Sequence, residues 1–482
     1  MAADEDLMYF NGLTGETGAY LNSPLTPAQL KSIALGEKPD PAHLAELKTK
    51  VDSGGPNYGM ITGRDPKDIG QCGWGVIFAT DEEPGVYEAL KPLLDLRKQQ
   101  AEAKGEPLYK EYRGDNAYQK DEKKPAFLKR FGAGGAGLVD PRRIPYYLLI
   151  VGDPESIPYR FQYQMDVQYA VGRIHFDGEG DEKLKQYAIY AESVVRAEKG
   201  VTVRPRNAAF FGVGREGDLS TTRSSQMLVE PLRAWAVGDQ PSWSVTGIPP
   251  AEALVPRLTS LIGGIDSPAF LFAASHGMGG PMTWKRQMSD TGALVCQEWP
   301  GPAWSGNPRP FYYSAENLSD DKNVAGMIAM FFACYGAGSP KMNEFRQKDN
   351  LTEADQIAPK AFVSALPKRM LSHPNGGALA VIGHIERAWD CSFRSGKNSP
   401  PQLQTFQSSL KLLMEGFPVG AAMEPFNTRY SELSTDLTEE IKDLAAGKRA
   451  TDEFIENWTA NNDARNYAVI GDPAVRMAVG PT

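Results

Sequence analysis

Pro268-Ala-Phe-Leu-Phe-Ala-Ala-Ser-His276-Gly277 and Met327-Ile-Ala-Met-Phe-Phe-Ala-Cys334-Tyr-Gly336 decide how this chain is read. Each is a short apolar run with the composition of a strand buried on both faces. Each stops at one reactive side chain that is followed closely by glycine. In an open α/β sheet, chemistry gathers at the carboxyl ends of strands. A His and a Cys delivered there by neighbouring strands make a base and a nucleophile. Alone, a strand-end Cys reads as a small buried hydrophobe and a His before Gly as a turn residue; the coincidence of the two carries the catalytic reading. In that reading the amides of Gly277 and Cys334 supply donors to an oxyanion. The glycine after the His lets backbone approach closely, and Gly336 and Gly338 loosen the turn that carries the thiol.

The flanking sequence extends the same architecture. Apolar strands are expected at 75–80, 146–151, 207–213, 243–247, 377–383 and 467–472. Helical periodicity falls at 83–103, 182–199, 221–235, 251–262, 358–371, 402–448 and after Thr451. Strand–helix alternation of this kind predicts a mostly parallel sheet covered on both faces. The first seventy residues are rich in Gly, Pro and Asp and read as loops and short helices. The stretch 105–137, charged and then glycine-rich, reads as a mobile loop. A boundary near Gly200 divides an N-terminal region, 1–200, from a second unit, 201–482. The echo between Ile150-Val-Gly-Asp-Pro154 and Val469-Ile-Gly-Asp-Pro473 fits two related α/β halves.

With 482 residues, 41% hydrophobic and 23% charged, the composition is that of an ordinary soluble globular protein. A net charge of -9 argues against nucleic acid as the main partner. No apolar stretch is long enough for a membrane span, and the acidic start, Met-Ala-Ala-Asp-Glu-Asp, is no secretory signal. Four scattered cysteines, Cys72, Cys296, Cys334 and Cys391, suit a reducing cytoplasm. Five histidines without a His-Glu-x-x-His motif give no zinc site. Neither a metal nor a cofactor is expected.

Ser275-His-Gly277 and Phe332-Ala-Cys-Tyr-Gly336 resemble the catalytic strand ends of caspase-like cysteine peptidases, with the gingipain family the nearest likeness. Tyr147 to Pro158, the Met165-Asp-Val-Gln-Tyr169 and Val171-Gly-Arg-Ile174 segments, and Asn466 to Ala474 extend the resemblance, the last also toward CHAT-type domains. The likeness covers about 146–477. It implies a caspase-like three-layer α/β fold, preceded by a smaller gingipain-like α/β subdomain, and endopeptidase activity through a thioester. By position, Cys334 is the nucleophile, His276 the base or acid, and Gly277 an oxyanion donor. Asp166 matches the acid at the floor of a pocket for Arg or Lys, Trp389 matches a pocket wall, and Asp390 adds negative potential. The third residue that orients His276 is left open between Glu298 and Glu316.

Gly212-Val-Gly214-Arg-Glu-Gly217 has the glycine spacing of a dinucleotide loop and stands as a rival reading. A catalytically silent interaction scaffold is another. Gly132 to Gly137 reads as loop, and His384 as structural or as a wall of the cleft. The polar stretch Lys341 to Asp349 reads as an exposed nicking site. Cleavage at Arg346 or Lys348, by a partner protease or by the chain itself, is expected to activate the enzyme, as in a bacterial stress or defence response. The expected partners are protein or peptide substrates.

Overall fold

The computed structural model describes residues 7–21, 23–35, 59–61, 63–135, 137–301, 303–304, 306–343, 345, 355–394, 400–446 and 451–480. Arg346 and Lys348, the expected activation sites, lie outside the described residues. The strands, in chain order, are β1 Gly12–Thr14, β2 Trp74–Phe78, β3 Tyr109–Tyr112, β4 Tyr147–Val151, β5 Ala170–Ile174, β6 Asn207–Gly212, β7 Ser244–Ile248 and β8 Phe270–Ala274. They continue with β9 Gly277–Gly279, β10 Leu294–Val295, β11 Tyr312–Tyr313, β12 Ile328–Phe332, β13 Gly338–Ser339, β14 Phe362–Val363, β15 Ala380–His384 and β16 Tyr467–Gly471.

Ten of them form one sheet, in the order β3-β2-β4-β5-β16-β15-β12-β8-β6-β7. Its pairs are parallel except β15 with β16. β2, β4, β5, β8, β12, β15 and β16 are buried along their whole length. That requires helices on both faces, and the fold is a three-layer α/β arrangement. Helix Pro84–Ala101 packs on helix Gly180–Glu198, and Glu424–Ala445 packs on both Asp452–Arg465 and Gln404–Met414. Among the described residues, no helix is long and apolar enough to cross a membrane.

Gly200 follows helix Gly180–Glu198 and precedes β6, and the strands before and after it belong to one continuous sheet. β16, from the far end of the chain, pairs with β5 on one side and β15 on the other. Asp472, just after β16, fixes the seam. Its carboxylate accepts from the buried Arg97 guanidinium at 2.7 Å and from the Trp74 indole N–H at 2.9 Å. Glu198 pairs with the same Arg97 at 3.1 Å.

The stretch 105–137 is more ordered than expected. It contributes β3, an edge strand, and helix Lys124–Arg130. The early residues are also more than packing. β1 joins β9, β10 and β11 in a second sheet beside the edge of the large one where β8 and β12 end.

Candidate active site

β8 and β12 are adjacent and parallel, with Ala274 opposite Phe332. His276 and Cys334 each lie two residues beyond that matched pair, so the register alone sets them side by side at the carboxyl edge. The contact between the two turns is close. A Cβ on Gly277 would fall 1.8 Å from the Cys334 carbonyl oxygen and 2.8 Å from its amide nitrogen. Glycine at 277 is thus demanded by the backbone of the thiol-bearing turn. The turn itself is tight. Tyr335, next to the thiol, has φ of 59° in the left-handed region that L-residues rarely adopt. That position is held by a tyrosine rather than by Gly336 or Gly338. Gly338 is needed instead for close approach to Tyr159 and the Phe362 carbonyl.

The partner of His276 is neither Glu298 nor Glu316. Glu298 accepts from the Val255 amide, and Glu316 pairs with Arg286 and Arg309. His276 Nε2 instead lies 2.8 Å from Asp218 Oδ2, with both side chains fully buried. Asp218 also accepts from the Tyr20 hydroxyl at 2.7 Å and the Thr221 hydroxyl at 2.6 Å. Burial alone would push this carboxyl up; His276, Thr221 and Tyr20 outweigh it and hold it at about 2. Asp218 is therefore an anion, and it accepts the Nε2 proton of His276. The other ring nitrogen, Nδ1, has no hydrogen-bond partner among the described residues and keeps its lone pair in the neutral ring. Tyr20 and Trp299 pack on the imidazole with ring centroids at 5.6 and 5.4 Å.

Asp218 ends the glycine-rich loop that follows β6, and β6 is the neighbour of β8. The loop is occupied by its own protein. Gly214 exchanges hydrogen bonds with the Gln297 side chain at 3.1 and 3.2 Å, and Ser225 and Pro250 stand over it. Its work here is to present Asp218 to His276.

Cys334 is completely buried, and burial pushes its thiol up to about 12. The Ala388 amide donates to its sulfur at 3.3 Å. What covers the thiol is the segment leading into β1. Tyr9-Phe-Asn11 runs antiparallel to Ala388-Trp-Asp390: the Asn11 amide donates to the Ala388 carbonyl at 3.0 Å, and the Asp390 amide donates to the Tyr9 carbonyl at 3.2 Å. Phe10 packs on Trp389 with centroids 5.1 Å apart.

The Asn11 carbonyl oxygen accepts two hydrogen bonds, from the Gly277 amide at 2.8 Å and the Cys334 amide at 3.0 Å. A Cβ on the next residue, Gly12, would lie 3.0 Å from the Cys334 sulfur. Trp389 is buried against Phe10 of this covering segment. The two carboxylates expected to attract a basic side chain are otherwise engaged. Asp166 stands at the amino end of β5, three strands from β12 and so about 14 Å away at ordinary strand spacing. It accepts from the Val171 amide at 3.2 Å, and burial pushes it well above the usual carboxylate range. Asp390 is paired with Arg223 at 2.7 Å and Arg394 at 3.4 Å. Neither is a hydrogen-bond partner of the Asn11 side chain among the described residues. His384 is buried against Tyr467 and Asp463, a structural place rather than a cleft wall. Among the described residues, no group of three or more His, Cys, Asp or Glu could hold a metal ion.

Asp218 and the segment around Asn11 were missed by sequence reasoning. Asp218 stands in the sequence only as the residue between a glycine-rich loop and a helix; its aim at His276 depends on the pairing of β6 with β8. Asn11 had no signal, because an Asn-Gly pair reads as a turn.

No family model and no curated protein matches this chain. Among solved structures, the chain is similar to one described as "Structure of Protease", with a TM-score of 0.47 and 12% identity over 84% of this chain and 78% of that one.

Proposed function

We propose that this protein is a cysteine endopeptidase in which Cys334 attacks a peptide carbonyl and His276 moves the proton. One observation carries the reading: two backbone amides, from Gly277 and Cys334, converge on a single carbonyl oxygen beside the Cys334 sulfur. Donors fixed in that arrangement match the charge that develops on the oxygen when a thiol adds to its carbon. In the neutral tautomer favoured by Asp218, His276 Nδ1 accepts the thiol proton. It returns that proton to the leaving amine as the carbon–nitrogen bond breaks. Water then hydrolyses the thioester and restores the thiol. Asp218 positions the ring and stabilises its charged form; it does not itself need to change protonation.

The test is hydrolysis of fluorogenic peptides by the wild type, Cys334→Ala and His276→Ala chains. Cys334→Ala should abolish turnover, and His276→Ala should lower kcat by about a hundredfold or more. Equal turnover by wild type and Cys334→Ala would sink the proposal.

A further inference from the structure

The segment over the thiol is laid out as a substrate. Its main chain pairs with the stretch Ala388 to Asp390, its Asn11 carbonyl fills the two-amide site, and Gly12 meets the sulfur. On this geometry the bond presented for attack is Asn11–Gly12.

The Asn11 side chain, only 1% exposed, identifies what the first pocket recognises. Its amide nitrogen lies 3.2 Å from the Ser275 carbonyl and 3.4 Å from the Ser224 hydroxyl. Its oxygen accepts from the Ser220 hydroxyl. Ser220 and Ser224 are four residues apart on the helix after β6, which turns from α to π at Ser224. The pocket offers an acceptor where the amide has hydrogens and a donor where it has oxygen. A carboxylate would set an anion against the Ser275 carbonyl. A Lys or Arg chain would have to pass the two serines without a matching acid. Sites that hydrogen-bond both ends of a buried polar group reject mismatched side chains strongly.

The two sides of the bond are held differently. Downstream, Leu13 is buried with Met278, Trp284 and Trp299, and Tyr20 bonds to Asp218, so β1 belongs to the catalytic architecture. Upstream, residues 8–11 lie across the cleft and end beside a groove of about 1210 Å³ lined by Leu7, Met8, Asp390 and Arg394. Cutting at Asn11 would leave β1 in place and turn the upstream part from a tethered segment, held at high effective concentration, into a separate peptide.

We infer that the protease is selective for asparagine before the scissile bond and that its first substrate is its own Asn11–Gly12 bond. This rests on the cysteine-peptidase reading above. In the step, the Cys334 sulfur bonds to the Asn11 carbonyl carbon and the carbon–nitrogen bond to Gly12 breaks. The thiol proton passes through His276 to the Gly12 amine, and water hydrolyses the thioester to the Asn11 carboxylate.

Intact-mass analysis of the full chain tests this, with Cys334→Ala, Asn11→Asp and Asn11→Arg beside it. The wild type should yield a species that begins at Gly12, and Cys334→Ala should stay whole. That control also separates enzymatic cutting from the spontaneous rearrangement to which Asn–Gly bonds are prone. Both Asn11 variants should be cut at least about a hundredfold more slowly. In parallel, peptides of sequence Tyr-Phe-X with a fluorogenic leaving group and X as Asn, Asp, Arg or Lys are offered to the wild type. A wild-type chain that stays whole, or a break that persists in Cys334→Ala, overturns the inference. So does faster cutting of Asn11→Arg. If a whole chain still hydrolyses other peptides through Cys334, only this inference fails; if no peptide is hydrolysed, the peptidase reading fails with it.

Discussion

Asp218→Asn tests the least expected member of the site. The substitution keeps the shape of the side chain and removes the charge that faces His276 Nε2 at 2.8 Å. Buried among apolar and aromatic neighbours, the carboxyl would rise, yet it is held at about 2, below its ordinary 3.8. That displacement corresponds to about 2.4 kcal/mol favouring the anion, the largest favourable part coming from His276. Part of it is the attraction between the carboxylate and the charged imidazole, which the substitution removes. An asparagine amide that turns its nitrogen to Nε2 would also move the ring proton to Nδ1, where it blocks the base. Together these effects should lower kcat by about 10² to 10⁴, with KM little changed because the hydrogen bonds to the Asn11 side chain involve Ser220, Ser224 and Ser275. Steady-state kinetics on the Asn peptide, with urea unfolding to verify the fold, provide the measurement. Glu298→Gln and Glu316→Gln serve as controls and should retain wild-type kcat. If Asp218→Asn keeps kcat within about threefold, the assignment of Asp218 as the orienting residue is refuted.

The same carboxylate has a signature in acid. Its folded-state value lies below its unfolded one, so its contribution to stability is present above about pH 4 and is lost as pH falls through about 2; Asp218→Asn should flatten the urea-stability curve in that window. Gly277→Ala would push a methyl into the Cys334 backbone, and thermal unfolding should reveal a loss of about 3 kcal/mol or more, or no folded protein. Arg97→Ala strands the buried Asp472 and should cost about 3–5 kcal/mol in urea titrations. Burial pushes the Cys334 thiol up to about 12, so in the uncut Asn11→Asp chain its alkylation by iodoacetamide at pH 8 should be far slower than for a free cysteine; labelling at the free-cysteine rate would mean that the cleft is open.

The strands that flank the site were legible because they are apolar on both faces, and such runs stand out in any sequence. β3 was not, because Tyr-Lys-Glu-Tyr lies at an exposed sheet edge where charged side chains are at home. His276 and Cys334 were visible as reactive residues at strand ends. Asp218, Ser220 and Ser224 were hidden, since their roles exist only once β6 lies against β8. Asn11 was more deeply hidden, because its partners are more than two hundred residues away. The carboxylates suggested by family resemblance have partners that position in sequence does not disclose: the Val171 amide for Asp166, and Arg223 and Arg394 for Asp390.

The seam at β16 bears on how the protein is made. Until residues 467–471 leave the ribosome, β5 and β15 remain open edges of two unfinished sheets, each able to recruit a foreign strand. Joining them brings together residues nearly three hundred positions apart, a slow event by loop-closure entropy. The two half-sheets are therefore open to mispairing until β16 is in place.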